Sequence, residues 1–299
     1  MRIGTRRSAL ALAQAQLISE MLGVVEIVPM LASGDLDRPS PASDKSRWVA
    51  ELEAALVAGE IDLAVHSAKD VPGELAAGLA LLGAPARASA EDVLCGASGL
   101  DELRAGARVG TSSIRRLAQL SAARGDLEVV AIRGNVDTRL RKLGDPDERL
   151  DAIVLARAGL QRLARESEAG GVLDVGRFVP APGQGTLALE GRADDERTRV
   201  AVQALTDKDT FACLLAERAL AHALDANCHT PLGAYAVPTG DGGLCLRAWV
   251  GLPDGSAWVS DELAETGTDP ESLGRRVAAR LDAAGGAELL RQAEELAAS

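Results

Sequence analysis

One pattern recurs along the chain and limits its fold more than any other feature. A short apolar strand ends in a small or polar turn, and a helix follows with basic residues near its start. Arg2-Ile3-Gly4-Thr5 runs into Arg6-Arg7-Ser8 and a helix. Arg108-Val109-Gly110 runs into Thr111-Ser112-Ser113-Ile114-Arg115-Arg116 and a second helix. Val129–Ile132 leads to Arg133-Gly134-Asn135 and a helix through Leu143. Ala152–Leu155 leads to Ala156-Arg157-Ala158-Gly159 and a helix carrying Arg162. Strands alternating with helices predict α/β sheets of parallel or mixed sense. In such sheets ligands bind beyond the carboxyl ends of the strands, where helix N-termini offer free N–H groups to anions. Ser8, Ser112 or Ser113, and Asn135 suit the cap positions of those helices. The arginines therefore gather where this architecture places ligands.

Two Pro/Gly punctuations, Gly83-Ala84-Pro85-Ala86 and Pro180-Ala181-Pro182-Gly183-Gln184-Gly185, read as crossings between lobes. They predict an α/β lobe of residues 1–86 and 179–205 with a second α/β lobe, 87–178, inserted into it. From Phe211 a helix is expected to run to Leu224, followed by strand-like runs Ala234–Val237, Leu244–Leu252 and Ala257–Glu262. Helices over 270–284 and 287–297 then close a smaller α+β domain, 206–299.

Charge narrows the function. The whole chain carries −12, with 32 Lys+Arg against 44 Asp+Glu. That balance excludes a surface built for nucleic acid, and the 2% aromatic content excludes a base-stacking platform. Between Thr111 and Arg165, however, basic residues outnumber acidic ones by eleven to seven. A basic island in an acidic chain points to a local anion site. No charge-free run reaches the roughly 20 residues of a spanning helix. Gln14 and Gln16 interrupt the apolar N-terminal stretch, which reads as an amphipathic helix; the expectation is a cytoplasmic protein with no membrane partner.

Two short motifs can carry chemistry. His66-Ser67-Ala68-Lys69-Asp70-Val71-Pro72 follows the apolar run Ile61–Val65 and sets a cation beside an anion. Either both are solvated turn charges, or Asp70 stabilises a developing cation or acts as a general acid while Lys69 binds a carboxylate. Cys228, in Asp225-Ala226-Asn227-Cys228-His229-Thr230-Pro231, is either a buried structural thiol or an accessible one activated by His229. Cys95, Cys213 and Cys245 occupy apolar contexts and read as structural, as do His66 and His222. Cys213, His222, Cys228 and His229 fit no zinc template, so no metal is expected.

Together these segments resemble the porphobilinogen deaminase (hydroxymethylbilane synthase) family. The resemblance runs through Arg2–Ser8, His66–Pro72, Gly110–Arg116, Arg133–Leu140, Leu155–Leu163, Pro180–Gly185 and Glu217-Arg218 leading to Cys228–Gly233. It implies two periplasmic-binding-protein-like lobes plus a smaller C-terminal domain. It implies a monomeric transferase that joins four porphobilinogen molecules head to tail, releasing ammonia, to make the linear tetrapyrrole hydroxymethylbilane. It further implies a dipyrromethane primer held through a thioether on Cys228, with Asp70 as the catalytic acid. Arg6, Lys69, Arg115, Arg116, Arg133, Arg139 and Arg162 match carboxylate-binding positions, and Ser8, Thr111, Ser112 and Ser113 match hydrogen-bonding ones. The family's glycine-rich lid here reads Pro41–Trp48, with Lys45 and Trp48 standing where its Lys and Phe would be. If the Cys228 loop needs a positive φ, Ala226 would be strained there, whereas Asn227 tolerates it. The competing reading is a non-catalytic two-lobed solute-binding protein for a dicarboxylate; it gives no reason for Cys228 or the third domain.

Overall fold

The computed structural model describes residues 1–23, 25–31, 49–227 and 230–298. Its strands are β1 (Arg2–Arg6), β2 (Glu26–Met30), β3 (Leu63–Ser67), β4 (Leu79–Gly83), β5 (Asp92–Cys95), β6 (Arg108–Gly110), β7 (Glu128–Val130), β8 (Ala152–Ala156), β9 (Gly171–Leu173), β10 (Leu187–Arg192), β11 (Leu232–Pro238), β12 (Leu244–Gly251) and β13 (Trp258–Glu265). Its α-helices are α1 (Ala9–Leu22), α2 (Ala50–Val57), α3 (Ile114–Ala123), α4 (Val136–Leu143), α5 (Arg157–Arg162), α6 (Glu196–Gln203), α7 (Lys208–Ala223), α8 (Pro270–Ala283) and α9 (Gly286–Ala298).

Two sheets share one topology. The first runs β2-β1-β3-β10-β4 and the second β7-β6-β8-β5-β9. In the first, β1 lies parallel to β2 and β3, while β10 is antiparallel to β3 and β4. In the second, β6 lies parallel to β7 and β8, while β5 is antiparallel to β8 and β9. The chain leaves the first sheet after β4 and returns to it as β10, so both Pro/Gly punctuations connect the sheets. The third sheet is the antiparallel meander β11-β12-β13.

Side-chain alternation explains the layering. Val109, Ala152 and Val154 join a core on one face of the second sheet, whereas Ile153, Leu155 and Val93 join one on the other. A sheet buried on both faces needs such near-continuous apolar strands. Ile3, Leu63, Val65 and Leu189 fill one side of the first sheet, and Ala64 and Ile61 pack beneath α2 on the other. The third core is laid down by α7, α8 and α9 against the meander.

The caps settle where helices begin. Ser8 accepts from the Ala11 N–H, Ser113 from that of Arg116, and Asn135 from that of Thr138. Of the two serines suited to capping α3, Ser113 is the cap. Asp207 and Asp269 cap α7 and α8 in the same way, and Pro270 occupies the first turn of α8. The expected strand Ile61–Val65 starts two residues later, because Ile61 belongs to the turn after α2. No described helix is long and apolar enough to cross a membrane.

Candidate active site

The parallel strands β1, β3, β6 and β8 end at Arg6, Ser67, Gly110 and Ala156. Beyond β3 the chain folds into one 3₁₀ turn, Ala68–Asp70. Its backbone is clamped by the Pro180–Gly185 segment. The Ala68 N–H donates to the Thr186 carbonyl at 3.0 Å. Gly183 sits at φ +74°, and a Cβ there would lie 2.9 Å from Ala68 Cβ and 3.0 Å from the Lys69 nitrogen. Only glycine allows both the left-handed backbone and that approach.

A cleft of about 440 Å³ opens at this point, lined by Lys69, Asp70, Ser112, Ser113, Arg115, Arg116 and Arg139 from the two lobes. Ala226, Asn227 and Thr230 line it from the third domain, on either side of Cys228 and His229 in the chain. A smaller recess of about 50 Å³ holds Arg6 and Ser8 with Gln14, His66 and Asp70. Asp70 belongs to both spaces. The structure thus brings Lys69, Asp70, Ser112, Ser113, Arg115, Arg116 and Arg139 to one cleft, and Arg6 and Ser8 to its neighbour. Thr111, Arg133 and Arg162 line neither. Thr111 is buried, its hydroxyl accepting from the Ser113 N–H. Arg133 is exposed before α4. Arg162 donates to the Gly185 carbonyl at 2.7 Å, behind the crossing segment. Cys228, Lys45 and Trp48 lie outside the described residues.

The arginines are less alike than the motif implies. Arg115 and Arg116 are 3% and 7% exposed, and each donates at 2.7 Å to one oxygen of buried Asp92. Burial alone would raise the Asp92 pKa, but the two guanidinium groups outweigh it and hold the carboxyl well below the usual range. Gln184 adds a third donor at 2.8 Å. One acid thus faces two cations, so the cluster keeps a net positive charge. The Nε atoms of Arg115 and Arg116 are buried with no partner. A buried donor left unpaired costs roughly 1–3 kcal/mol, a cost that the paired Asp92 contacts must offset. Burial, then Arg116, lowers the Arg139 pKa; burial brings that of Arg162 down to about 10. Lys69, mostly buried in the cleft wall, is pushed down to about 8 by its loss of water and by Arg116, against the pull of Asp70.

Composition and spacing overlooked three residues. Asp92 opens an apolar strand, where an acid signals a buried partner. Arg87 follows the first crossing, and Glu217 was noted only as part of a motif. Glu217 is fully buried and accepts from Arg87 at 2.6 Å, from the Gly183 N–H at 2.6 Å and from the Ala236 N–H at 2.8 Å. One carboxylate therefore ties both crossings to the third sheet. The thiols expected to be structural are so placed: burial pushes Cys95 up to about 11 and Cys213 up to about 12, and half-buried Cys245 also rises. His66 is buried 2.9 Å from the Glu190 carboxylate, whereas His222, expected to be structural, is exposed near the end of α7. Positive φ falls on Asp225, at 51°, and not on Ala226. Asp225 closes the C-terminus of α7, where its N–H donates to the His222 carbonyl.

Residues 1–200 match the family model described as "Porphobilinogen deaminase, dipyromethane cofactor binding domain", and 211–283 match "Porphobilinogen deaminase, C-terminal domain". The chain belongs to the porphobilinogen deaminase family. A porphobilinogen deaminase of Trichlorobacter lovleyi is 44% identical over 300 residues, 97% of this chain and 95% of that one. One of Brevibacillus brevis is 41% identical over 309 residues, 98% and 99% of the two chains. Among solved structures, a nutrient binding protein from Burkholderia cenocepacia bound to methionine is 13% identical, with a TM-score of 0.43, over 70% of this chain and 93% of that one. At that score the likeness adds nothing to the fold read from the sheets. The dipyrromethane of this family fits the cleft on its own terms. A small polycarboxylate meets Lys69, Arg139 and the net positive Arg115–Arg116–Asp92 cluster there, a set that no acidic surface would supply.

Proposed function

We propose that this chain is a hydroxymethylbilane synthase, joining four porphobilinogen molecules head to tail with loss of ammonia at each addition. The observation that carries it is Asp70, held at the meeting of two recesses and faced by a cationic wall, in a chain of the porphobilinogen deaminase family. The three-domain division at 1–86 with 179–205, 87–178 and 206–299 is part of the same proposal, as are a cytoplasmic location and a monomeric state with no nucleic-acid or membrane partner. The dicarboxylate-binding alternative has only a resemblance of fold behind it.

Each pyrrole of the substrate brings an acetate and a propionate. Lys69, Arg139 and Arg6 bind these carboxylates in the positive field of Arg115 and Arg116, with Ser8 and Ser113 as hydroxyl donors and Ser112, whose hydroxyl donates to the Ile132 carbonyl, at the same rim. Charge-assisted bonds of this type contribute roughly 1.5–3 kcal/mol each. Arg133, Arg162 and Thr111 belong to the same set and act at its margin. Dipyrromethane, bound through the Cys228 thiol, supplies the pyrrole carbon at which the chain grows. Asn227 and Thr230, on either side of Cys228 and His229, line the cleft, which supports an attachment point at its rim. In porphobilinogen the C–N bond of the protonated aminomethyl group breaks; the nitrogen, already carrying three protons, takes the bonding pair and leaves as ammonia. The pyrrole nitrogen feeds its lone pair into the ring, leaving a cationic methylene pyrrole. The Asp70 carboxylate stabilises that cation through the pyrrole N–H. Because the charge develops only as the bond breaks, Asp70 favours the transition state over bound substrate. Lys45 and Trp48, outside the described residues, are assigned to the family's lid on sequence alone.

Incubation with porphobilinogen tests this directly. Ammonia release matched by a linear tetrapyrrole at four to one is expected; binding of porphobilinogen without ammonia release would leave only a solute binder.

A further inference from the structure

A second cleft, of about 460 Å³, lies between α3 and the β12–β13 hairpin, away from Asp70. Its walls are fixed. The hairpin turn places Gly255, at φ +74°, directly on the backbone of Ser121 and Ala122, where any side chain would collide. Trp249 packs with Ala118 and Val179. Such a preformed, mixed-polarity space has the size of a small-molecule site.

Its lining is unusual for this chain. Two of the three tryptophans, Trp249 and Trp258, stand here stacked, with ring centroids 6.5 Å apart and planes 23° from parallel. Trp249 is buried, but Trp258 is 52% exposed. An indole supported from behind and open in front is a platform for another flat ring. The charges beside it are unequal. Arg247 is held by Glu262 at 2.6 Å, and Asp261 by Arg280 at 2.6 Å. Arg177 makes only a 3.3 Å bond to the Ala123 carbonyl, with its guanidinium 5.8 Å over the Phe178 ring. Among the described residues that line the cleft, Arg177 is thus the cation with no carboxylate in ion-pair contact.

We propose that this cleft is a second ligand site, for a planar aromatic carboxylate that stacks on Trp258 and pairs with Arg177, and that its occupant acts on the Asp70 cleft through α3. The link is short. Gln119 lines the second cleft, Arg115 lines the first, and both donate to the Val179 carbonyl, at 3.1 and 2.8 Å. Gln119 also accepts from Arg115 at 3.3 Å. A ligand that moves Gln119 or Val179 therefore moves a guanidinium of the first cleft.

The probe is 2-naphthoate, titrated calorimetrically into the purified full-length protein, with 2-naphthamide as its uncharged counterpart. Saturable binding is expected, weakened about tenfold or more in Arg177→Gln and in Trp258→Ala, with the amide weaker by a similar factor. Both variants keep the parent's turnover of porphobilinogen when no probe is present. No saturable binding, or equal binding in parent and variants, overturns the site; in the second case the probe occupies the Asp70 cleft. The link to catalysis rests on the proposed function, whereas the binding readout does not. Saturating probe is expected to shift the KM for porphobilinogen about fivefold or more in the parent and not in Arg177→Gln. A KM that stays put while the probe binds overturns the coupling.

Discussion

Lys69 and Asp70 sit next to each other, and for Lys69 folding and function pull in opposite directions. Below about pH 8 Lys69 is charged in both the folded and unfolded chain, and the fold disfavours that charge. It therefore lowers stability at neutral pH. As pH climbs from about 8 to the ordinary lysine value, the unfolded chain holds the extra proton and stability rises; above that both states are neutral and the cost vanishes. In a Cys228→Ser background, Lys69→Met should raise the Tm at pH 7 and leave it unchanged near pH 11. In the otherwise wild-type chain the same substitution should raise the KM for porphobilinogen about tenfold or more, the loss of one charge-assisted carboxylate contact. A Tm that falls at pH 7 would show that the charge is welcome in the fold. Asp70→Ala should leave the fold and the attached primer intact and cut kcat by about a hundredfold or more, since it removes one preorganised electrostatic group. Steady-state kinetics on protein of confirmed mass would check it. The arginines were legible in the sequence because they sit at strand-to-helix turns. Asp92 was not, since its value depends on Arg115 and Arg116 arriving from another element.

At the scale of elements, the turn that presents Asp70 is held from outside itself. Gly183 clamps it by approach and Glu217 clamps Gly183 by charge. Gly183→Ala would force a left-handed alanine, at about 1–2 kcal/mol, and push its Cβ against Ala68 and the Lys69 nitrogen. The expected result is a folded protein with kcat reduced more than its stability; an unchanged kcat would show that the turn does not need the clamp. Glu217→Gln leaves Arg87 without its anionic partner where both crossings meet the third sheet. Breaking a buried pair of this kind costs about 3–5 kcal/mol, read as a lower Tm. Part of the helices and strands was readable from periodicity and caps: α8 begins at Pro270 after Asp269, and β12 covers all but the last residue of the run expected there, whereas β2, β4, β5, β9, β10, α2 and α6 were not read. Register at the edges was not. β7 ends at Val130, before the expected Ile132, because the chain turns there to present Arg133. The positive φ considered for Ala226 falls instead on Asp225, since closing α7 decides the geometry there.

At the scale of the molecule, the net charge of −12 conceals a division of labour. Acidic residues lie over most of the chain, while Arg115, Arg116 and Arg139, from the basic stretch between Thr111 and Arg165, supply one wall of the cleft between the lobes. The two sheets repeat one topology, and the third domain brings the residues around Cys228 to their junction. That arrangement suits an enzyme which keeps hold of a growing, many-carboxylate chain. It also makes the covalent primer the feature by which this protein differs from a binder of the same shape. The intact mass of the purified protein is the decisive observable. Wild type should exceed its 299-residue polypeptide by one dipyrromethane, and Cys228→Ser should not. A wild-type mass equal to the bare polypeptide, the same as that of Cys228→Ser, would contradict the assignment.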